Sequence, residues 1–483
     1  MILVIDVGTT GLRAALVDDD GHAGDVEYRA FAPDSPFPGM VEFDAAAMAE
    51  TVIDAAVTAL RRGGNPTVSG VGIASQRAST IMWDRTNGSP VGPGLGWQDL
   101  RTVGECLVAK AEHGLKLAPN QSATKIQWLL ANAAAGRATG DLCVGTVDTW
   151  LAFTLSQGGV HVTDHTNAGV TGLYDLAANG WDEVACEALA IDPGLLPTIV
   201  DTSGVFGEAV ALPGSPPLAA VVGDQQGSLV GQGCVEPGMA KITFGTGGML
   251  DLCTGPAKPA AAERSEHGTF PIVAWAIGGA VTYGTEAIML SAGTNVEWLV
   301  DDLGLIDSPA DSHVVASQVE HTDGVVYVPA LLGLGTPHWD YGARGTLLGL
   351  TRGTNRAHVV RAVLEGVAQR GADLVDNAEI DTGLTIETLR VDGGMSVNTT
   401  FVQALADATG RTVEVSPTID ATMLGAAYLA GVATGTWADL AQAASSWSPA
   451  TTVDPVGQLD RERWAEAIRR TGDWIPELSA LDF

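Results

Sequence analysis

The chain has 483 residues, 46% of them hydrophobic and 60 of them glycine, which is long for one core and points to two or three α/β domains with many tight turns. Its net charge is −32, from 57 acidic against 25 basic residues, and its lysines are Lys110, Lys116, Lys125, Lys241 and Lys258. A surface of that sign excludes broad docking onto nucleic acid or an anionic membrane.

The first residues, "MILVID", enter a strand directly, so no signal peptide is expected, and no apolar run is long enough for membrane insertion. "ILVID" and "LRAALVD" read as two strands joined by a glycine turn. "DAAAMAETVIDAAVTALRRGG" reads as a helix with Asp44 at its start, Arg61 and Arg62 in its last turn and Gly63 as its stop, charges that suit the helix dipole. "VSGVGIA" has the pattern of a buried strand, followed by Gln76 and Arg77 before the apolar "TIMW". A charged fork at the end of a core strand is costly unless it meets a partner. "TKIQWLLANAAA" and "TVDTWLAFTL" are helical runs. In "HVTDH", His161 and His165 lack further ligands nearby and are expected to face solvent rather than bind metal. Residues 201–217 are turn-rich and read as a surface connection, and "LAAVVGDQQGSLVGQG" as a strand ending at Asp224 and then a helix.

Near the middle, "KITFGTGGMLDLCTG" echoes "VIDVGTTGLRAALVD": strand, Gly-Thr turn, strand. A repeat at half the chain length predicts two similarly built halves, 1–232 and 233–483, with a cleft between them. The second half continues with a helix around 284–300, a long amphipathic helix over 355–378, strand "TLRVDGG", a helix, strand "TVEV" and helix "ATMLGAAYLAGV". The cysteines at 106, 143, 186, 234 and 253 are scattered and lack a CxxC spacing. They imply reduced thiols in a cytoplasmic protein, without a disulfide framework or zinc site.

Each Gly-Thr turn presents backbone N–H groups and hydroxyls with little bulk, which can cradle phosphate oxygens. Either alone reads as an ordinary hairpin; their pairing favours phosphate binding. Neither GxxxxGK[ST] nor a GxGxxG opening a helix is present. Asp224 is either a helix cap or a carboxylate poised to take a hydroxyl proton, with Gln225 and Gln226 adding hydrogen-bonding capacity. "RVDGGMSVN" is either a turn or a place where backbone approaches a flat ligand. Trp97 is either core or the apolar wall of a polyol or sugar site.

Taken together, "DVGTTGLRA", "QRASTIMWDRTNG", "GWQDLRT", "SATKIQWLL", "GTVDTWL", "GDQQGSLVGQ", "PGMAKITFGTGG", "PHWDYGARGTLLGLTRG" and "RVDGG" resemble, nearly end to end and in order, the FGGY carbohydrate kinases, and within them the glycerol kinases. The resemblance implies two actin-like (ribonuclease-H-like) domains, with ATP and Mg²⁺ as cofactors and a small polyol or sugar as substrate. It implies that Asp6, Thr9, Thr10 and Arg13 meet the phosphates or the hydrated Mg²⁺, with Asp6 and Asp224 holding the ion through water. Gly245 and Thr246 would form the second phosphate loop, and Gly293, Glu297, Gly394 and Asn398 would surround the nucleotide. Asp224 would be the catalytic base, and Gln76, Arg77, Trp97, Asp224 and Gln225 would line the acceptor site. A homodimer or homotetramer is compatible with the resemblance.

The departures bear on the acceptor. Ala78 stands where glycerol kinases carry Glu, Asn120 where they carry Tyr, Met249 where they carry Phe, and Glu297 where a Gln is common. Loss of a carboxylate that binds a hydroxyl costs about 1.5–3 kcal/mol. The first three changes shorten or soften the pocket wall, so glycerol is the best single candidate and a larger polyol or sugar the alternative. Pentulose kinases of the family carry Gln-Met-His-Gly where this chain has "QRAS", which speaks against the commonest of them. A non-catalytic relative that binds polyol and nucleotide, and an actin- or chaperone-like ATPase, are the readings from other classes.

Overall fold

The computed structural model describes residues 1–418 and 420–481. Its first half is organised by five strands: β1 (Ile2–Val7), β2 (Gly11–Val17), β3 (Glu27–Ala30), β4 (Gly70–Ser75) and β5 (Pro217–Gly223). They lie in the order β3-β2-β1-β4-β5, with β2 antiparallel to β1 and β3, and with β1, β4 and β5 parallel. The second half repeats the plan with β6 (Ala240–Phe244), β7 (Gly248–Gly255), β8 (Ala280–Met289), β9 (Thr388–Asp392) and β10 (Thr412–Val415). Their order is β8-β7-β6-β9-β10, again with the antiparallel hairpin on one side and parallel strands on the other. The weak echo between the two Gly-Thr segments therefore marks a full structural repeat.

The two halves share one thirteen-stranded sheet. Strand Ser203–Glu208 pairs antiparallel with β5 and meets strand Phe270–Ile277 through Ser203 and Ile277, and the latter pairs with β8. This corrects the expectation of a surface connection over 201–217: the turn residues are there, but six of the positions form the strand that joins the halves. Residues 284–289 likewise belong to β8, and the helix expected from 284 is α3 (Thr294–Asp301). A run of apolar residues without clear period fits either state, and here strand pairing with β7 decides.

Local chemistry explains the helices. In α1 (Ala45–Arg62) the Asp44 carboxylate caps Ala46 N and Ala47 N, Arg61 and Arg62 occupy the last turn, and Met48, Val52, Ala55, Ala56 and Ala59 form the buried face. The long helix α4 (Arg356–Thr382) is capped by Asn355 and ends at Gly383, whose φ is +68°. Between the halves, α2 (Asp224–Gly231) packs on α6 (Ala421–Thr434), which is apolar nearly all round and buried along most of its length. A methyl group added at Gly231 would lie 1.8 Å from the Ala421 carbonyl oxygen, and one at Gly425 1.8 Å from that of Gly227. Backbone meets backbone there, so the helix that carries Asp224 is seated directly against the second half.

Candidate active site

Three parallel strands end at one edge of the first half: Val7 is level with Ser75, and Ser75 with Gly223. The crevice beyond such carboxyl ends is where open α/β sheets bind ligands. It receives Asp6 from β1, Gln76 and Arg77 after β4, and Asp224 after β5. Gln76 is anchored through its own N–H to the Val7 carbonyl (2.7 Å), and its side chain accepts from Ser79 Oγ at 3.2 Å. Asp224 is the first residue of α2, whose cap is Gly223, so its carboxylate is not used as a helix cap. Its Oδ1 accepts from Gln225 N (2.8 Å) and lies 3.5 Å from Arg77 Nε. Burial pushes the Asp224 carboxyl above its usual range, against the pull of Arg77.

Arg77 meets three partners. Besides Asp224 it reaches Gln226 Oε1 at 3.4 Å, and its Nη2 lies 2.6 Å from Glu286 Oε2 on β8 of the other half. Burial opposes its charge, yet the carboxylates of Glu286, Asp224 and Asp251 hold the guanidinium protonated more firmly than usual. Ala78, next in the chain, is buried with φ +63°, and its carbonyl accepts from Ser122 Oγ (3.0 Å) and Thr80 Oγ1 (3.1 Å). Those two hydroxyls hold a backbone conformation that costs an L-residue roughly 1–2 kcal/mol. Trp97 is 38% exposed and donates from Nε1 to Thr9 Oγ1 at 3.1 Å, which ties the indole to the first Gly-Thr turn. Behind it Lys125, fully buried, donates to the Trp97 carbonyl at 3.3 Å, and burial lowers its pKa to about 7. Asn120 is exposed in the turn before helix Ala123–Asn132, and Met249 is half-buried on β7 opposite Ile288.

The first turn spans Gly8, Thr9 and Thr10 between β1 and β2, closed by Gly8 N donating to Gly11 O at 2.9 Å. Thr10 is exposed. Asp6 is 6% exposed and accepts from Arg13 Nη1 at 3.2 Å, while Arg13 Nε lies 3.6 Å from Asp420 of the second half. Burial raises the Asp6 pKa to about 6, partly offset by Arg13 and reinforced by Asp224 and Asp420. The second turn, Gly245 to Gly247, is buttressed by backbone instead: Ala292 N donates to Thr246 O and Gly293 N to Gly245 O, each at 2.8 Å. A methyl on Gly293 would lie 2.6 Å from Gly245 O, and one on Gly393 (φ +87°) 2.4 Å from Phe244 O. Gly394 follows in the short helical turn Gly394–Val397 and faces open space. Gly245, Thr246, Gly293 and the Gly393–Gly394 pair are thus gathered around one hairpin. Glu297 lies exposed in the first turn of α3. Asn398 is committed locally, capping α5 (Thr399–Thr409) at Phe401 N and donating to Ser312 Oγ at 2.8 Å.

Three strand residues around the site, Glu286, Lys241 and Asp251, escaped the sequence reading. Glu286 is 5% exposed, and burial pushes its carboxyl up while Arg77 pulls the other way. Lys241 on β6 is fully buried, its Nζ 2.7 Å from Asp251 Oδ2 and donating to Gln225 Oε1 (2.7 Å) and Thr243 Oγ1 (2.9 Å). The signal was the one that drew attention to Arg77: a charge inside an apolar strand, in "AKITF", "MLDLC" and "GTEAIM". The histidines differ from expectation. His161 is half-buried against the Val144 carbonyl, and burial lowers its pKa to about 4; His165 bonds Tyr174 Oη at 2.8 Å. Both serve packing, since neighbouring strands cover them.

A doubled ribonuclease-H-like sheet, a Gly-Thr hairpin in each half and a half-buried carboxylate–guanidinium pair at the strand ends define an actin-like phosphotransferase. Residues 1–231 match the N-terminal domain, and 240–434 the C-terminal domain, of the FGGY family of carbohydrate kinases. The chain belongs to that family. It is 40% identical to a glycerol kinase of Aromatoleum aromaticum over 98% of this chain and 99% of that one. It is 41% identical to a glycerol kinase of Halorhodospira halophila, covering 99% and 97% of the two chains. The crystal structure of Plasmodium falciparum glycerol kinase with ADP superimposes with a TM-score of 0.90 at 29% identity, over 98% of each chain. The protein is accordingly a glycerol kinase-like, ATP-dependent enzyme that phosphorylates an alcohol group. Among the described residues no helix is long and apolar enough to cross a membrane.

Proposed function

We propose that the acceptor is a small polyol, glycerol foremost, whose primary hydroxyl sits between Arg77 and Asp224. The observation that carries this reading is the Arg77–Asp224 contact at the strand edge, with Trp97 tied to the first Gly-Thr turn and Gln225 next in the chain. Arg77 and Gln225 bind and orient the hydroxyls, and Asp224 accepts the proton of the attacking one at its carboxylate. The upward push on Asp224 makes it a better base than a solvated Asp. Phosphoryl transfer needs mainly positioning and charge stabilisation, and the backbone-lined turn at Gly245–Thr246 and the hydroxyls of Thr9 and Thr10 supply donors for phosphate oxygens. The seating of α2 on α6 fixes the helix that carries Asp224 against the second half.

Mg²⁺ fits the residues present. Asp6 and Asp224 raise one another's cost of ionisation, as does Asp420 for Asp6, and a hard divalent ion prefers such carboxylate oxygens while keeping waters. When bound, the ion would neutralise charge on the triphosphate, and Asp6 and Asp224 would hold it through water. The five free cysteines are all buried, which supports a cytoplasmic setting. A larger polyol is the second reading, favoured by the bare methyl of Ala78 beside Arg77 and by exposed Asn120. The deciding experiment is ADP release with ATP, Mg²⁺ and a panel of polyols and sugars, wild type against Asp224→Ala. Highest kcat/KM for glycerol supports the first reading and for a longer polyol the second; ADP release that ignores the panel removes both.

A further inference from the structure

Lys241 donates through its ammonium to Thr243 Oγ1 and Gln225 Oε1 and lies 2.7 Å from the Asp251 carboxylate, its ion-pair partner. Its side chain is fully buried, whereas Gln225 is only half-buried and reaches the crevice from the other half of the molecule. An ammonium can only donate, so the Gln225 atom facing it must be the carbonyl oxygen, and the amide –NH₂ is left to point elsewhere. Lys241 stands on β6, four residues before the Gly245 turn, and Thr243 and Asp251 are its neighbours on β6 and β7. Lysine at the base of the phosphate hairpin thereby sets the orientation of a side chain on the acceptor side.

We propose that Lys241 is a positioning residue for the acceptor: it fixes the Gln225 amide so that its –NH₂ is presented to the substrate, which must offer an oxygen lone pair there. Asp251 balances the buried charge and keeps the ammonium aimed. The inference rests on the reading of Gln225 as an acceptor-binding residue. It separates the two roles of Gln225, since Oε1 belongs to the protein and Nε2 to the ligand.

Gln225→Glu keeps the oxygen that Lys241 holds and removes the donor offered to the acceptor. Its thermal midpoint should equal or exceed that of the wild type, while the KM for glycerol rises about tenfold and the KM for ATP stays within about twofold. Lys241→Met combined with Asp251→Asn, which removes the two facing charges together, should raise the glycerol KM by a similar factor. Added to Gln225→Ala, that pair should bring little further rise, because it acts through the side chain already removed. A lowered midpoint for Gln225→Glu, an unchanged glycerol KM in it, or fully additive effects in the combined variant would overturn the proposal. The melting arm needs no acceptor, so a wild type inactive on glycerol would remove the glycerol reading and still leave the Lys241–Gln225 orientation to stand or fall on Gln225→Glu stability.

Discussion

The two Gly-Thr turns have nearly the same sequence and are supported in opposite ways. The first is surrounded by side chains: Asp6 and Arg13 beneath it, Trp97 on Thr9, Asp420 across the gap. The second is held mainly by backbone, from residues 292–293 and 393, and at Gly293 and Gly393 a side chain is excluded by sub-3 Å approaches. The first can therefore be tuned by charge and pH, and the second only by shape. A repeated motif preserved the hairpin and let its environment diverge.

The largest effect should come from the charged side. Asp224→Asn should lower kcat about 10²–10⁴-fold with the fold intact, since that carboxylate does not cap α2; single-turnover ADP formation and a melting curve measure both. If kcat survives, the base lies elsewhere. On the backbone side, Gly293→Val should raise the KM for ATP by about tenfold or more and leave the acceptor KM nearly unchanged, because its methyl groups collide with Gly245 O. Gly8→Ala, where a methyl would stand 3.3 Å from Gly11 O, should cost less. Equal penalties in initial-rate kinetics would erase the distinction between the turns.

Asp6 tests the same contrast through pH. Its folded pKa of about 6 lies above the usual 3.8, so the native state binds the proton more tightly, and stability declines as pH rises between those values. Asp6→Asn should therefore stabilise the free protein at pH 7 by roughly 2–3 kcal/mol. The gain should vanish below pH 4, where both states are protonated. Activity should fall in the same variant, and the acidic limb of kcat/KM in the wild type should lie near pH 6, because the role proposed for Asp6 at Mg²⁺ needs the ionised carboxylate. Denaturant melts at pH 4 and pH 7 measure the stability; a loss at pH 7 would show that Arg13 outweighs burial.

The smallest effect is expected across the junction. Glu286→Gln removes the charge facing Arg77 and should raise the acceptor KM by several-fold, about 1 kcal/mol, with the ATP KM unmoved. A change confined to ATP would place Glu286 on the other side of the cleft.

Much of the site was legible because its parts are local. A Gly-Thr turn between two apolar strands, an Asp at a strand end before a helix, and Arg77 breaking an apolar run are visible within a few residues each, and so was the repeat that predicted two halves. Misreadings arose where pairing overrode local signals: the joining strand Ser203–Glu208 sits in turn-rich sequence, and β8 has a composition that suits a helix equally well.

By itself the sequence determined the doubled hairpin, the α/β class and the residues at the ends of β1, β4 and β5, since periodicity and turn chemistry act over short distances. Only the tertiary structure decided what those residues meet. Glu286 comes to Arg77, Lys241 to Gln225 and Asp420 to Arg13 from the opposite half. Burial of Arg77, Glu286 and Lys241 makes those charges too costly to leave alone, and no local pattern says which distant group will answer them.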